Sequence, residues 1–177
     1  HTVEVRIGLS PLSTALASQE CSRWKEMSFS KLKLQAIAQW EKQLQNIGVK
    51  GGEQDDKVIF YTSLYRTFLS PVDVTSPDGE YLGTDGKKYV SKDFRYYSNW
   101  SLWDTFRTKF PLLVLTEPVK MRDMATSLIH LYATGKKDWS TGFESTPTVR
   151  TEHAVILLLD AYRKGITNLD FRKGYAG

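Results

Sequence analysis

Cysteine is almost absent from this 177-residue chain: Cys21 is the only one, which excludes an internal disulfide framework and a cysteine-based zinc site. With no His or Asp beside it in sequence, Cys21 reads as a structural thiol. There are only three histidines, and His130 has no second ligand four residues away to make a metal pair on one helix face. No run of about eighteen apolar residues occurs, so no segment reads as a membrane-spanning helix. A GxGxxG turn, phosphate loop, HExxH, GxSxG and EF-hand loop are all missing, which removes the local signatures of nucleotide binding, zinc proteolysis, serine hydrolysis and EF-hand calcium binding. Charge of one sign does not cluster either. The net +4 arises from 24 basic and 20 acidic residues that interleave along the chain, and this argues against a nucleic-acid or anionic-membrane partner.

What is present is enough apolar surface for a folded core, at 41% hydrophobic and 12% aromatic content. The opening residues, His1 to Gly8, lack an initiator Met and any signal-peptide pattern. They alternate as a strand does, as expected of a chain that starts partway through a larger protein. Ser10 and Pro11 give the start signal of a first helix reaching about Glu20. A second helix is predicted from Ser28 or Ser30 to Ile47, because Leu34, Ile37, Trp40, Leu44 and Ile47 fall three or four apart and Gly48 stops the pattern. Its apolar face is expected to pack inward. Acidic residues Glu53 to Asp56 open a third helix that carries Val58, Tyr61, Leu64, Tyr65 and Phe68 and ends before Pro71.

Between Pro71 and Lys92 the turn residues Ser76-Pro77-Asp78-Gly79 and Asp85-Gly86 flank short apolar pairs, which predicts a small β-hairpin inserted between helices. A fourth helix is expected over Ser101 to Lys109, broken or restarted at Pro111. A fifth spans Pro118 to Ala133 with Met121, Met124, Leu128 and Leu131 near one side, and a sixth spans Arg150 to Lys164, closed by Gly165. The run AVILLLDAY in the sixth is apolar around most of its circumference, so burial on more than one side is expected. Asp170 is placed to cap a last turn. No internal repeat is visible, which favours a helical barrel or bundle over a regular solenoid.

The segment Asp93 to Pro118, DFRYYSNWSLWDTFRTKFPLLVLTEP, crowds aromatic rings around Asp104, which stands between Trp103 and Thr105. Flat rings with a polar edge beside a carboxylate suit the apolar face and hydroxyls of a pyranose. The same residues admit a plainer explanation: aromatic residues are commonly core, and Ser101-x-x-Asp104 fits a helix capping box. Spacing alone leaves both open.

Four blocks, VRIGLSPLS, FYTSLYRTFLSP, YYSNWSLWDTFRTKFPLLVLTEP and HAVILLLDAYRKGI, occur in an order and at a spacing that resemble glycoside hydrolase family 92 over essentially the whole chain. The resemblance implies exo-acting, inverting, calcium-dependent α-mannosidases, α-1,2-mannosidase-like in preference, with a β-sandwich domain preceding an (α/α)6 catalytic toroid. The expected fold class is therefore mainly α, part of such a toroid, with a short N-terminal strand and linker and a small β-hairpin insertion. On that basis residues 1–27 are the strand and linker leaving a β-sandwich, and residues 28–177 are part of the catalytic domain. Carried over by position, Trp103 and Asp104 line the pocket for the terminal mannose, and Arg150 and Glu152 stand at a loop-to-helix junction that faces it. The step Thr151-Glu152-His153 departs from the Gly-Asp-His-like or Gly-Tyr-His-like form, Trp139 to Arg150 is short, and Pro11 replaces a frequent aromatic residue.

Inverting hydrolysis needs an acid and a base separated by about 6.5–9.5 Å. The family's general acid, general bases and calcium ligands are expected beyond Gly177, so no catalytic residue is nominated. Glu144 in the polar loop 140–148 is a minor candidate acid, since an exposed loop glutamate is ordinarily just solvated. His153 is a candidate for capping, packing or pocket contact. Mannose-containing glycans, the remainder of the catalytic domain and a β-sandwich domain are the implied partners, and calcium the implied cofactor. The implied location is the periplasm, cell surface or exterior. A second reading, from a different class, is a non-catalytic helical carbohydrate-binding or scaffold protein.

Overall fold

The computed structural model describes residues 3–134 and 152–176. They form two compact units, residues 1–53 and 54–177. The first holds helices α1 (Thr14–Arg23) and α2 (Phe29–Leu44). Ser13, not Ser10, caps α1, its hydroxyl accepting from Leu16 N at 3.2 Å. Ser10 instead accepts from Leu12 N at 3.1 Å in a local turn, which moves the helix start past Pro11. Ser28 caps α2 by accepting from Lys31 N at 3.3 Å. Residues 3–10 carry no regular secondary structure, in contrast to the strand expected from their alternation, because a strand requires a hydrogen-bonded neighbour. Arg6 fastens this segment by donating to the carbonyls of Trp24 and Met27. The inward packing expected of α2 is not found within this unit. Leu34 is 67% exposed and none of the helix residues is buried.

The second unit begins with α3 (Gln54–Thr67), whose first turn carries Asp55 and Asp56, where carboxylates complement the helix dipole. The expected hairpin is present as β2 (Glu80–Leu82) paired antiparallel with β3 (Lys88–Val90), in the register Tyr81 opposite Tyr89. Gly79 sits at φ +85°, and a Cβ there would lie 2.2 Å from the Ser91 carbonyl oxygen, so only glycine lets the two backbone segments meet. A second bridge, not foreseen, pairs β1 (Val72–Asp73) with β4 (Tyr97–Ser98). Tyr81 stacks on Tyr96 at 4.1 Å and on Tyr89 at 5.6 Å, and its hydroxyl reaches His130 Nδ1 at 3.1 Å. Burial pushes the Tyr81 phenol up to about 12, with the nearby Tyr89 and Asp85 adding to the effect. Tyr97 is likewise pushed up to about 12 by burial, and Tyr96 is raised for the same reason.

Helices α4 (Lys109–Thr116), α5 (Pro118–Ala133), α6 (Glu152–Arg163) and α7 (Phe171–Ala176) complete the unit. Helix α5 has the predicted bounds and is central, packing against α4, α6, α7 and β4. Met121, Met124, Leu128 and Leu131 are buried on it and meet Leu102, Phe110 and Leu113 as well as Leu157 and Ala161 of α6. The double-sided burial expected of α6 is not seen among the described residues. Ala154, Leu157 and Ala161 are buried, whereas Val155, Ile156, Leu159 and Tyr162 are exposed. Asp170 caps α7 as expected, accepting from Lys173 N at 3.0 Å. The described fold is thus mainly helical with small two-stranded sheets.

Two polar residues of α5 face inward. Ser127 is fully buried, accepts from Tyr97 N at 2.9 Å and donates to the Asp123 carbonyl at 2.7 Å. Asp123 accepts from Arg95 N at 3.2 Å and pairs with Arg122 at 2.7 Å. The backbone of 95–97 is thereby fixed along α5. Ser127→Ala leaves the Tyr97 amide without a partner and should lower stability by about 1–3 kcal/mol in chemical denaturation. The exposed control Lys87→Ala should change it by less than about 0.5 kcal/mol.

Candidate glycone-contact site

Trp103 and Asp104 lie on a run of turns, 103–108, that leads into α4. This replaces the helix expected over Ser101 to Lys109. A helix continuing through that stretch would require Pro111 to donate to the Arg107 carbonyl, which proline cannot do. Pro111 instead occupies the third position of α4, inside the first turn, where no intrahelical amide donor is needed. The Ser101-x-x-Asp104 capping box therefore has no helix to cap. The turns are held by Arg107 N donating to the Asp104 carbonyl at 3.2 Å, Phe110 N to Thr105 O at 3.1 Å and the Thr105 hydroxyl to Ser101 O at 2.5 Å.

Burial alternates sharply here. Trp100, Leu102 and Phe110 are inside the core, with Trp100 Nε1 donating to Tyr97 O at 3.2 Å. Trp103 is 51% exposed, and Asp104 is exposed. The Asp104 carboxylate forms no hydrogen bond or ion pair with a described residue. The core explanation thus holds for most rings of the segment, while Trp103 stands at the edge of the described core.

The base of the segment is closed through Ser70. Its hydroxyl donates to Asn99 O at 2.6 Å, and its carbonyl accepts from Lys109 Nζ. Asn99 takes φ +62°, a left-handed conformation that asparagine tolerates better than most residues. Burial lowers the Lys109 amine to about 8. On the other side, Phe106 stacks on His153 of α6 with centroids 4.2 Å apart and planes 23° from parallel. The Arg107 guanidinium lies 5.2 Å from the same Phe106 ring.

Arg150 and the loop residue Glu144 lie outside the described residues, and Glu152 starts α6 with a side chain that also lies outside them. The start of α6 is nevertheless near the Trp103–Asp104 turn, since His153 follows Glu152 directly and touches Phe106. Sequence spacing missed that contact. Its only trace was an aromatic residue two positions after Asp104 and a histidine opening the apolar run of α6. An open cleft of about 490 Å³ lies elsewhere, lined among others by Asp78, Lys92, Asp93, Arg95 and Asp123. Arg95 and Asp123 are already engaged in structural bonds there, and the cleft includes neither Trp103 nor Asp104. Among the described residues no three His, Cys, Asp or Glu side chains gather to hold a metal ion, so these residues do not by themselves fit calcium. No described helix is long and apolar enough to cross a membrane.

A sequence model of the glycosyl hydrolase family 92 catalytic domain matches residues 14–177. The chain belongs to that family. Its fold is similar to the family 92 α-mannosidase BT3965 of Bacteroides thetaiotaomicron, with a TM-score of 0.85 and 28% identity over 94% of this chain and 23% of that one. The family 92 glycosyl hydrolase ccman5 gives a TM-score of 0.81 and 30% identity over the same shares. The family 92 inverting mannosidase BT2199 of Bacteroides thetaiotaomicron gives 0.84 and 26%, again over 94% and 23%. BT3965 has also been solved in complex with mannoimidazole. The chain thus spans under a quarter of the length of these relatives. No curated protein matches it.

Lys109 gives the site a pH signature. Its folded-state value near 8 lies below the 10.5 of a free lysine, so between these values the unfolded chain binds a proton that the folded chain has released. Stability contributed at this position therefore rises with pH through that window and is lost as pH falls. Wild type should gain stability relative to Lys109→Met between about pH 7.5 and about pH 9.5 in paired denaturation curves. A constant difference would contradict the burial.

Proposed function

We propose that this chain furnishes part of the mannose-binding pocket of an inverting, calcium-dependent exo-α-mannosidase, α-1,2-linked mannosides being the first substrates to try. The observation that carries the reading is an exposed Trp103 beside an exposed Asp104, whose carboxylate bonds to no described residue, on a turn held from both sides within a family 92 catalytic domain. An indole face packs against the C–H side of a pyranose, and a carboxylate accepts from two of its hydroxyls. Inversion is supported by the name of BT2199 and mannose by the names of both Bacteroides relatives. Arg150 and Glu152 enter the proposal as further pocket residues, through the family resemblance and the proximity of the α6 start to the turn.

The described residues supply no assigned acid and base pair, so protonation of the leaving oxygen and activation of water are ascribed to residues beyond them. Calcium belongs to the proposal through the resemblance alone, and no described residue is assigned to it. The (α/α)6 toroid, the preceding β-sandwich and an exported location in the periplasm, at the cell surface or outside the cell are proposed on the same basis. The exposed apolar residues of α6 are consistent with further helices packing there.

In its native-length form the protein should release mannose from α-mannosides and lose that activity with a chelator. Asp104→Ala should lower kcat/KM about 10–100-fold, the loss of charged hydrogen bonds to the sugar. Full turnover in excess chelator would remove calcium from the mechanism, and an unchanged kcat/KM in Asp104→Ala would remove the pocket assignment. Mannose binding without any turnover would favour the carbohydrate-binding alternative.

A further inference from the structure

We propose that His153 is a positioning residue for the Trp103–Asp104 turn, acting through its ring face and not through a hydrogen bond to the sugar; the inference rests on the glycone-site reading above. Three observations converge on it. The imidazole of His153 lies against the Phe106 ring at 4.2 Å and 23°, so the start of α6 and the turn are in direct contact. Phe106 is the third residue after Trp103 and the second after Asp104, inside the same run of turns. The Nδ1 atom of His153 is buried without a hydrogen-bond partner among the described residues.

An orphaned polar atom is costly, and a histidine kept for its polarity would be expected to have that nitrogen engaged. Here the flat face is in use and the buried nitrogen is not. The ring stack also completes the support of the turn. Leu102 and Phe110 anchor its two ends in the core and Ser70 links Asn99 to Lys109, but these contacts fix the ends of the segment. Phe106, within the turn itself, is tied to helix α6. Removing the His153 ring frees Phe106 to rotate, and the backbone that presents Asp104 loosens with it. The consequence is felt in sugar affinity before it is felt in global stability, because the core anchors remain.

The test uses the native-length protein and mannoimidazole as the probe, with Kd measured by calorimetry and Tm alongside. His153→Ala should weaken binding about fivefold, the scale of one lost ring pair, while His153→Phe should bind as wild type does. His153→Phe should also raise Tm, since it removes the orphaned nitrogen and keeps the stack. In an Asp104→Ala background, His153→Ala should have no further effect on Kd. Equal weakening in the Ala and Phe variants would overturn the proposal by showing that a ring nitrogen meets the ligand. An unchanged Kd in His153→Ala, beside a weakened Asp104→Ala, would overturn it while leaving the pocket reading intact. An unchanged Kd in Asp104→Ala itself would remove the pocket reading, and this inference with it.

Discussion

The backbone of residues 95–97 is hydrogen-bonded to the side chains of one helix, and the placement of the aromatic segment follows from that. Asp123 and Ser127 are one turn apart on α5, so both face the same line, and they capture the Arg95 and Tyr97 amides in register. A buried amide without a partner is costly enough that this pairing admits little slippage. With 95–97 fixed, β4 can meet β1, Tyr96 stacks on Tyr81, and Trp100 and Leu102 enter the core. Trp103 and Asp104 then fall outside it. The exposure of the candidate site is thus a consequence of phase along the chain, set several residues earlier by a serine hydroxyl.

The same logic explains which parts of the fold could be read beforehand. Helix α5 was legible to the residue because Met121, Met124, Leu128 and Leu131 recur at helical spacing and Pro118 marks the start. The hairpin was legible because one turn cluster, Ser76 to Gly79, precedes its first strand and a second, Asp85-Gly86, joins the two strands. The inward-facing Asp123 and Ser127 were not, since polar residues in a helix read as its solvent side unless their partners are known. The β1–β4 pair is two residues long and has no periodicity to detect. Of the two roles expected of Pro111, breaking or restarting a helix, the structure shows the second: it stands in the first turn of α4, where the rule that forbids proline inside a helix does not apply.

For the site, Trp103 and Asp104 were identified by family resemblance, and spacing could not separate a sugar platform from core packing. Among the described residues the neighbours Trp100, Leu102 and Phe110 are buried and Trp103 is half-exposed, which places Trp103 at the edge of the described core. The contact between Phe106 and His153 joins residues 47 positions apart, beyond the reach of any local pattern. Arg150 and Glu144 remain sequence proposals, outside the described residues.

The tyrosine stack on the hairpin has a spectroscopic consequence. Because burial holds the Tyr81 and Tyr97 phenols near 12 and raises Tyr96 as well, these three stay un-ionised at a pH where a solvated phenol is already half phenolate. The ultraviolet absorbance change of an alkaline titration therefore carries a late step from this cluster. The late step reports directly on whether the hairpin is seated against α5, without any label having to be introduced.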